Sequence, residues 1–179
     1  IFSPRLWNVF NIAQCEGIEP KRKPIETDEF SPIEEAEKVY NEKYDAEKKP
    51  SLGHGGESAF YAPSRHHVQM PEKNTFISSD DYYKTLFHEL VHSTGHESML
   101  NRLHKVSAFG SEDYSKEELV AEIGSEFLVG ITGLNPKDNE DNSQAYINGW
   151  IKKLGDNPKM ALSACNQAMK AVDLIVGEQ

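Results

Sequence analysis

The sequence predicts an α+β domain organised around one helix that carries chemistry. Short strand-like segments occupy the first half of the chain and amphipathic helical segments the second, and His88-Glu89-Leu90-Val91-His92 falls inside one of those helices. A chain of 179 residues has room for one domain with a sizeable core, or one domain with an extra arm.

Residues 7–14 read as a strand, and the stretch with Pro20, Lys21, Arg22, Lys23 and Pro24 reads as a connector. Ser31-Pro32-Ile33-Glu34 has the form of a helix start: a Ser cap, Pro at the first helical position and Glu three after the cap. Ile33, Ala36, Tyr40 and Tyr44 then mark one face, and Lys48-Lys49-Pro50 ends the helix. Gly53-His54-Gly55-Gly56 reads as a loop. Residues 58–61 and 67–70 read as strands of a hairpin around Pro63-Ser64-Arg65.

Ser78-Ser79-Asp80-Asp81 opens the next helix, with acids in the first turn where the helix dipole favours them, and Gly95 stands where a C-terminal glycine belongs. Ser115-Lys116-Glu117-Glu118 opens a third helix running to about Val129, with Tyr114 and Leu119 as a hydrophobic staple. Tyr146, Ile147, Trp150, Ile151 and Leu154 give a fourth, broken at Gly155-Asp156-Asn157-Pro158, and Ala161, Ala164, Cys165, Ala168, Val172 and Ile175 a fifth.

The composition excludes several classes. No apolar run reaches the length of a bilayer span, and the first ten residues lack the basic and apolar regions of a signal peptide. The chain begins without Met and reads as a piece of something longer. The two distant cysteines, Cys15 and Cys165, form no disulfide framework and point to a reducing, cytoplasmic setting. A net charge of -10 opposes binding of this segment to a nucleic-acid backbone.

His88 and His92 are four apart, so both rings leave one face of a helix. Two neutral imidazoles can hold a Zn2+ ion and leave positions open; Glu89 can take the proton of a zinc-bound water as it attacks a carbonyl. Tyr83, Leu86, Phe87, Leu90, Val91 and Thr94 form an apolar stripe, and His88, Glu89, His92 and His96 lie off it. A metzincin would place a third His where Ser98 stands. The other arrangement, that of gluzincins, takes a Glu from a later helix, and Glu118 and Glu122 share a face there. Glu118 reads as the ligand, with Glu122 orienting a ligand His; the rival assignment makes Glu122 the ligand, with Ser125 as the small residue that follows. Glu118 also fits a capping box with Ser115. His96 is either a basic residue at a helix end or part of the site lining, and Tyr114 is either the staple or a hydrogen-bond donor to an oxyanion. His54, His66 and His67 read as surface groups.

Several longer segments carry a resemblance. Phe60-Tyr61-Ala62-Pro63, Val68-Gln69-Met70-Pro71, the run from Tyr82 to His96, Phe109-Gly110-Ser111, the run from Glu117 to Gly124, and Ala145-Tyr146-Ile147 with Trp150 resemble the ArdC-type antirestriction proteins of conjugative elements. The likeness covers about residues 8–176. In that family a single-stranded-DNA-binding domain precedes a zincin-like metallopeptidase domain of polyvalent-protein type. The resemblance implies that residues 1–25 are the tail of the first domain and a linker. Residues 26–179 are then the zincin-like, gluzincin-type domain, with a small sheet, an active-site helix and further C-terminal helices.

The resemblance further implies a zinc-dependent peptidase domain acting on a protein or peptide, a host restriction component among the candidates, with single-stranded DNA bound only by the preceding domain. The alternatives are a catalytically silent protein-interaction module on the same fold, or an accessory part of a DNA-binding antirestriction protein. The family often has an acidic residue where His66 stands and Arg where Met99 stands, so details of a substrate groove do not transfer directly.

Overall fold

The computed structural model describes residues 16–17, 28–103, 112–136 and 158–177. The strand expected at 7–14, the domain boundary at residue 25 and the helix expected at 146–154 lie outside them. The described architecture is α+β, with a three-stranded mixed sheet and four helices.

Helix α1, Glu34–Lys38, continues into a wider turn over Val39–Lys43. It starts later and ends earlier than its sequence pattern suggests. Ile33, not Ser31, is the cap residue, and Ser31 instead donates its backbone N–H to Ser79 Oγ at 2.8 Å. The wide turn is closed by Tyr44 N–H donating to Val39 O. That spacing lets both Val39 and Tyr44 enter the core beside Ala36. The Tyr44 hydroxyl then meets Ser93 Oγ at 3.0 Å, which satisfies a phenol that is only 1% exposed.

Strands β1 (Ser51–His54), β2 (Phe60–Ala62) and β3 (His67–Met70) are ordered β1-β3-β2. The β2–β3 hairpin follows the sequence pattern, whereas β1 corrects the loop reading of Gly53-His54. β1 pairs parallel to β3, so the central strand supplies its partner from across a long connection and no local turn announces it. Gly53 belongs there because a Cβ would stand 3.0 Å from the His67 ring. Along β3, Val68 and Met70 are fully buried and His67 and Gln69 are not, the two-residue period of a sheet with one covered face.

Helix α2, Ser79–Ser93, covers that face. Ser78 caps it: its Oγ accepts from Asp81 N–H and donates to Asp81 Oδ2 at 2.6 Å. The expected stripe Tyr83, Leu86, Phe87, Leu90, Val91 and Thr94 is buried throughout. At the other end, Gly95 does not adopt the left-handed conformation of a helix-terminating glycine. Its role is close approach, since a Cβ there would meet Leu103 Cγ at 2.9 Å. The last-turn carbonyls accept from the backbone, with Gly95 N–H on His92 O and His96 N–H on Ser93 O, and from side chains as well: Ser93 on Leu90 O, Thr94 and Arg102 on Val91 O.

Helix α3, Glu112–Thr132, is already formed three residues before Ser115. Ser115 is therefore not a cap, and both the capping-box reading of Glu118 and the staple reading of Tyr114 are corrected. Both side chains belong to helix interior positions. Helix α4, Pro158–Val176, packs on α3 and α2 through Ala164, Ala168, Ala171, Val172 and Ile175. No helix among the described residues is long and apolar enough to cross a membrane.

α3 approaches α2 closely at Gly124, where a Cβ would lie 2.8 Å from Val91 Cγ2 and 2.9 Å from Cγ1. Val91 is β-branched and fully buried, so it has little freedom to move aside. Gly124→Ala is expected to lower stability by about 1–2 kcal/mol, the overpacking cost outweighing the gain in helix propensity. In a Val91→Ala background the same change should be neutral or stabilising. Urea unfolding of the four proteins measures this, and equal effects in both backgrounds would refute the close-contact account.

Candidate metal centre

Four residues of α2 make one turn, so His88 and His92 project side by side, with their Nε2 atoms 3.1 Å apart. α3 brings Glu118 across from them. One carboxylate oxygen lies 3.6 Å from His88 Nε2 and the other 3.6 Å from His92 Nε2. Among the described residues, this trio offers ligand atoms within 4.8 Å of one another, the spacing a shared metal ion requires. Ligands placed tetrahedrally around zinc at ordinary bond lengths are about 3.3 Å apart.

The outer nitrogens of the two rings are also engaged. His88 Nδ1 is 3.3 Å from Glu122 Oε2, and His92 Nδ1 is 3.3 Å from Glu117 Oε1. A carboxylate accepts hydrogen bonds, so each neutral ring places its hydrogen on Nδ1 and keeps a lone pair on Nε2. Two lone pairs then face each other across 3.1 Å beside a carboxylate. Such an arrangement repels itself unless a cation or proton lies between the donors.

A proton can take that place, and the surrounding carboxylates stabilise it. Burial works against a charged His88, but Glu118 and Glu122, reinforced by Glu89, raise its pKa to about 10. Burial pushes Glu118 up, and the adjacent His88 overrides this and holds its carboxyl below the ordinary value. Contact with His88 likewise lowers Glu122. Glu117, only 5% exposed, is opposed by burial yet lowered by His92 and Arg102. Glu89 goes the other way: its burial raises it, against the pull of His92 and His88.

A cavity of about 380 Å³ opens over these groups, walled by Phe60, Tyr61 and Pro63 from the β2 side and by Leu103, Tyr114 and Glu117 opposite. Glu89, His88, His92, Glu118 and Tyr114 all line it. Glu122 stands behind His88. His96 does not reach this cavity: it lines an adjacent cleft with Glu97 and Asn101, and its Nδ1 meets Ser98 Oγ at 2.8 Å. His54 pairs with the Tyr82 hydroxyl, His67 with Ser51 Oγ, and His66, at φ 45°, bridges Tyr61 and the Lys48 carbonyl. None of the three lines the cavity.

Sequence reasoning missed Glu117 and Arg102. Arg102 forks onto Glu117, with Nε and Nη2 donating at 3.0 and 2.9 Å, and also donates to Thr94 Oγ1 and Val91 O. The acidic pair Glu117-Glu118 was the available signal, but adjacent helical residues point about 100° apart, and only the crossing of α2 and α3 brings Glu118 to both rings and Glu117 to His92.

The sequence profile of zincin-like metallopeptidases matches residues 39–167. The chain is 37% identical over 176 residues to the DNA primase TraC of Escherichia coli, covering 97% of this chain and 16% of that protein. The crystal structure of the antirestriction protein ArdC from plasmid R388, bound to Mn(II), is similar with a TM-score of 0.65 and 32% identity. That match covers 94% of this chain and 60% of the ArdC chain. Metal-free ArdC matches at 0.64 with 32% identity, over 93% and 57% of the two chains. The chain thus spans about a sixth of the TraC relative and some three fifths of ArdC. With two histidines of one helix and a glutamate of the next converging as described, the chain belongs to the zincin-like metallopeptidase family.

Proposed function

We propose that this chain is the metal-dependent peptidase domain of a mobile-element antirestriction protein, with His88, His92 and Glu118 holding one divalent ion and Glu89 acting as general base. The observation that carries the reading is the convergence of His88 Nε2, His92 Nε2 and a Glu118 carboxylate oxygen, all within 4.8 Å of one another. The donor set of two nitrogens and one carboxylate suits zinc, and the manganese bound by ArdC makes a related ion an alternative occupant. Glu122 orients His88, and the rival assignment of Glu122 as ligand is disfavoured because its carboxylate faces Nδ1 rather than Nε2.

A divalent ion held by His88, His92 and Glu118 would act as a Lewis acid toward a peptide carbonyl and would lower the pKa of an attacking water toward ~7. Glu89, buried beside the two histidines on the cavity lining, would accept the proton of the attacking water and return it to the leaving amine. Tyr114, on the cavity wall and hydrogen-bonded to Glu118, would turn its hydroxyl to the oxygen that gains charge. The substrate is a peptide or protein segment, a component of host restriction in the cytoplasm fitting the antirestriction relative. Single-stranded DNA belongs to a preceding domain, in keeping with the net charge of -10.

One observation favours a second reading, a protein-interaction module. Metal-loaded and metal-free ArdC match this fold equally well, so the scaffold does not need its ion to form.

His92→Ala is expected to abolish uptake of one equivalent of zinc, measured by metal analysis after dialysis, while leaving the helical circular dichroism in place. Retention of a full equivalent would refute the assigned ligands. Glu89→Gln should keep the ion and lower cleavage of a peptide-library substrate by about 10²–10⁴-fold. Unchanged cleavage would remove Glu89 as the base. Full antirestriction in a plasmid-transfer assay by the same variant would favour the interaction module.

A further inference from the structure

The two imidazoles are not held alike. Glu122, behind His88, is 27% exposed along its side chain. Glu117, behind His92, is 6% exposed and shares its burial with Arg102 at 8%. A buried carboxylate survives in charged form only beside a fixed counter-charge. Arg102 supplies that charge through a two-pronged contact with both Glu117 oxygens.

The same guanidinium is itself fixed. It donates to Thr94 Oγ1 and Val91 O at the end of α2, each at 2.9 Å, one turn beyond His88 and beside His92. The backbone around it is closely fitted, since a Cβ on Gly95 would stand 3.2 Å from Arg102 Nη2. Arg102 thus ties the helix that carries His92 to the carboxylate that orients the His92 ring. A ring turned about its own axis would lose the Glu117 contact and aim Nε2 away from Glu118.

We propose that Arg102 is a positioning residue for the metal centre: it holds Glu117 so that Glu117 keeps the hydrogen of His92 on Nδ1 and the lone pair of Nε2 aimed at the ion. This rests on the metal-centre reading above and adds to it a chain Arg102–Glu117–His92. Lysine at position 102 would keep the charge without the planar fork.

The test compares the parent chain with Arg102→Met, Glu117→Gln and the double variant. Zinc affinity is read by competition with a chromophoric chelator, and the His92 ring nitrogens by 15N NMR with and without zinc. Each single variant is expected to bind zinc about 10–100-fold more weakly. The double variant should be no weaker than Glu117→Gln, because the two residues act in series. The His92 nitrogen shifts of the metal-free singles should move from the Nδ1–H pattern of the parent toward a mixture of tautomers.

Unchanged affinity and unchanged His92 shifts in Arg102→Met, with only a lower melting temperature, would reduce Arg102 to a structural role and overturn the proposal. So would affinity losses that add in the double variant. If Arg102→Met does not fold, Glu117→Gln with parental affinity and parental His92 shifts overturns it equally. A parent chain that takes up no zinc would sink the metal-centre reading together with this one. A parent that binds zinc while the variants bind it equally well would sink this one alone.

Discussion

The close packing of α2 against α3 is the constraint on which the site depends. The candidate metal donors His88, His92 and Glu118 come from both helices, and neither helix alone can assemble them. Gly124 lets the helix backbones come near enough for the Val91 methyls to fill the space where a side chain would be. About a turn and a half away along α3, Glu118 then lies opposite His88 and His92, and Glu117 and Glu122 lie against the backs of their rings. The apolar contact sets a helix separation, and that separation sets the 3.6 Å distances in the polar cluster.

Crowding Glu89, Glu117, Glu118 and Glu122 around two imidazoles in a partly desolvated cleft costs electrostatic energy. Each carboxylate lowers the cost of the histidines holding positive charge, which is why His88 is raised to about 10 despite its burial. A binding site for a divalent ion carries this signature before the ion arrives: donors held close, anions in excess and the outward ring nitrogens engaged by carboxylates. The single guanidinium in the cluster does not compete for the ion's place. Arg102 lies behind Glu117, engaged with Val91 and Thr94, and neutralises only the carboxylate that points away from the donors.

The cavity joins this charged floor to walls contributed by the sheet edge. β2 brings Phe60, Tyr61 and Pro63 beside Glu89, and the Tyr61 backbone N–H supports the Glu89 carboxylate. Glu89 and the cavity wall are therefore connected through the hairpin. His66, in its left-handed conformation, braces Tyr61 from the far side. His96 belongs to the neighbouring cleft that shares Pro63 and Leu103 with this one.

Periodicity along the chain made α2 readable: the Ser78 cap, the acids that follow, the buried stripe and the shared face of His88 and His92 are all relations within one helix. The hairpin was equally readable, because Pro63-Ser64-Arg65 separates two short apolar segments. The relations that failed to show were those between distant segments. β1 pairs with β3 in parallel, which leaves no turn in the sequence between partners. Ser31 and Ser115 looked like caps by spacing, but tertiary contacts moved one helix start inward and the other outward. Local pattern could name Glu118 and Glu122 and set Glu118 first as the ligand, but it could not find Arg102 or Glu117. Those roles follow from the angle at which two helices cross, a quantity set by packing volumes far apart in the chain rather than by the spacing of neighbours.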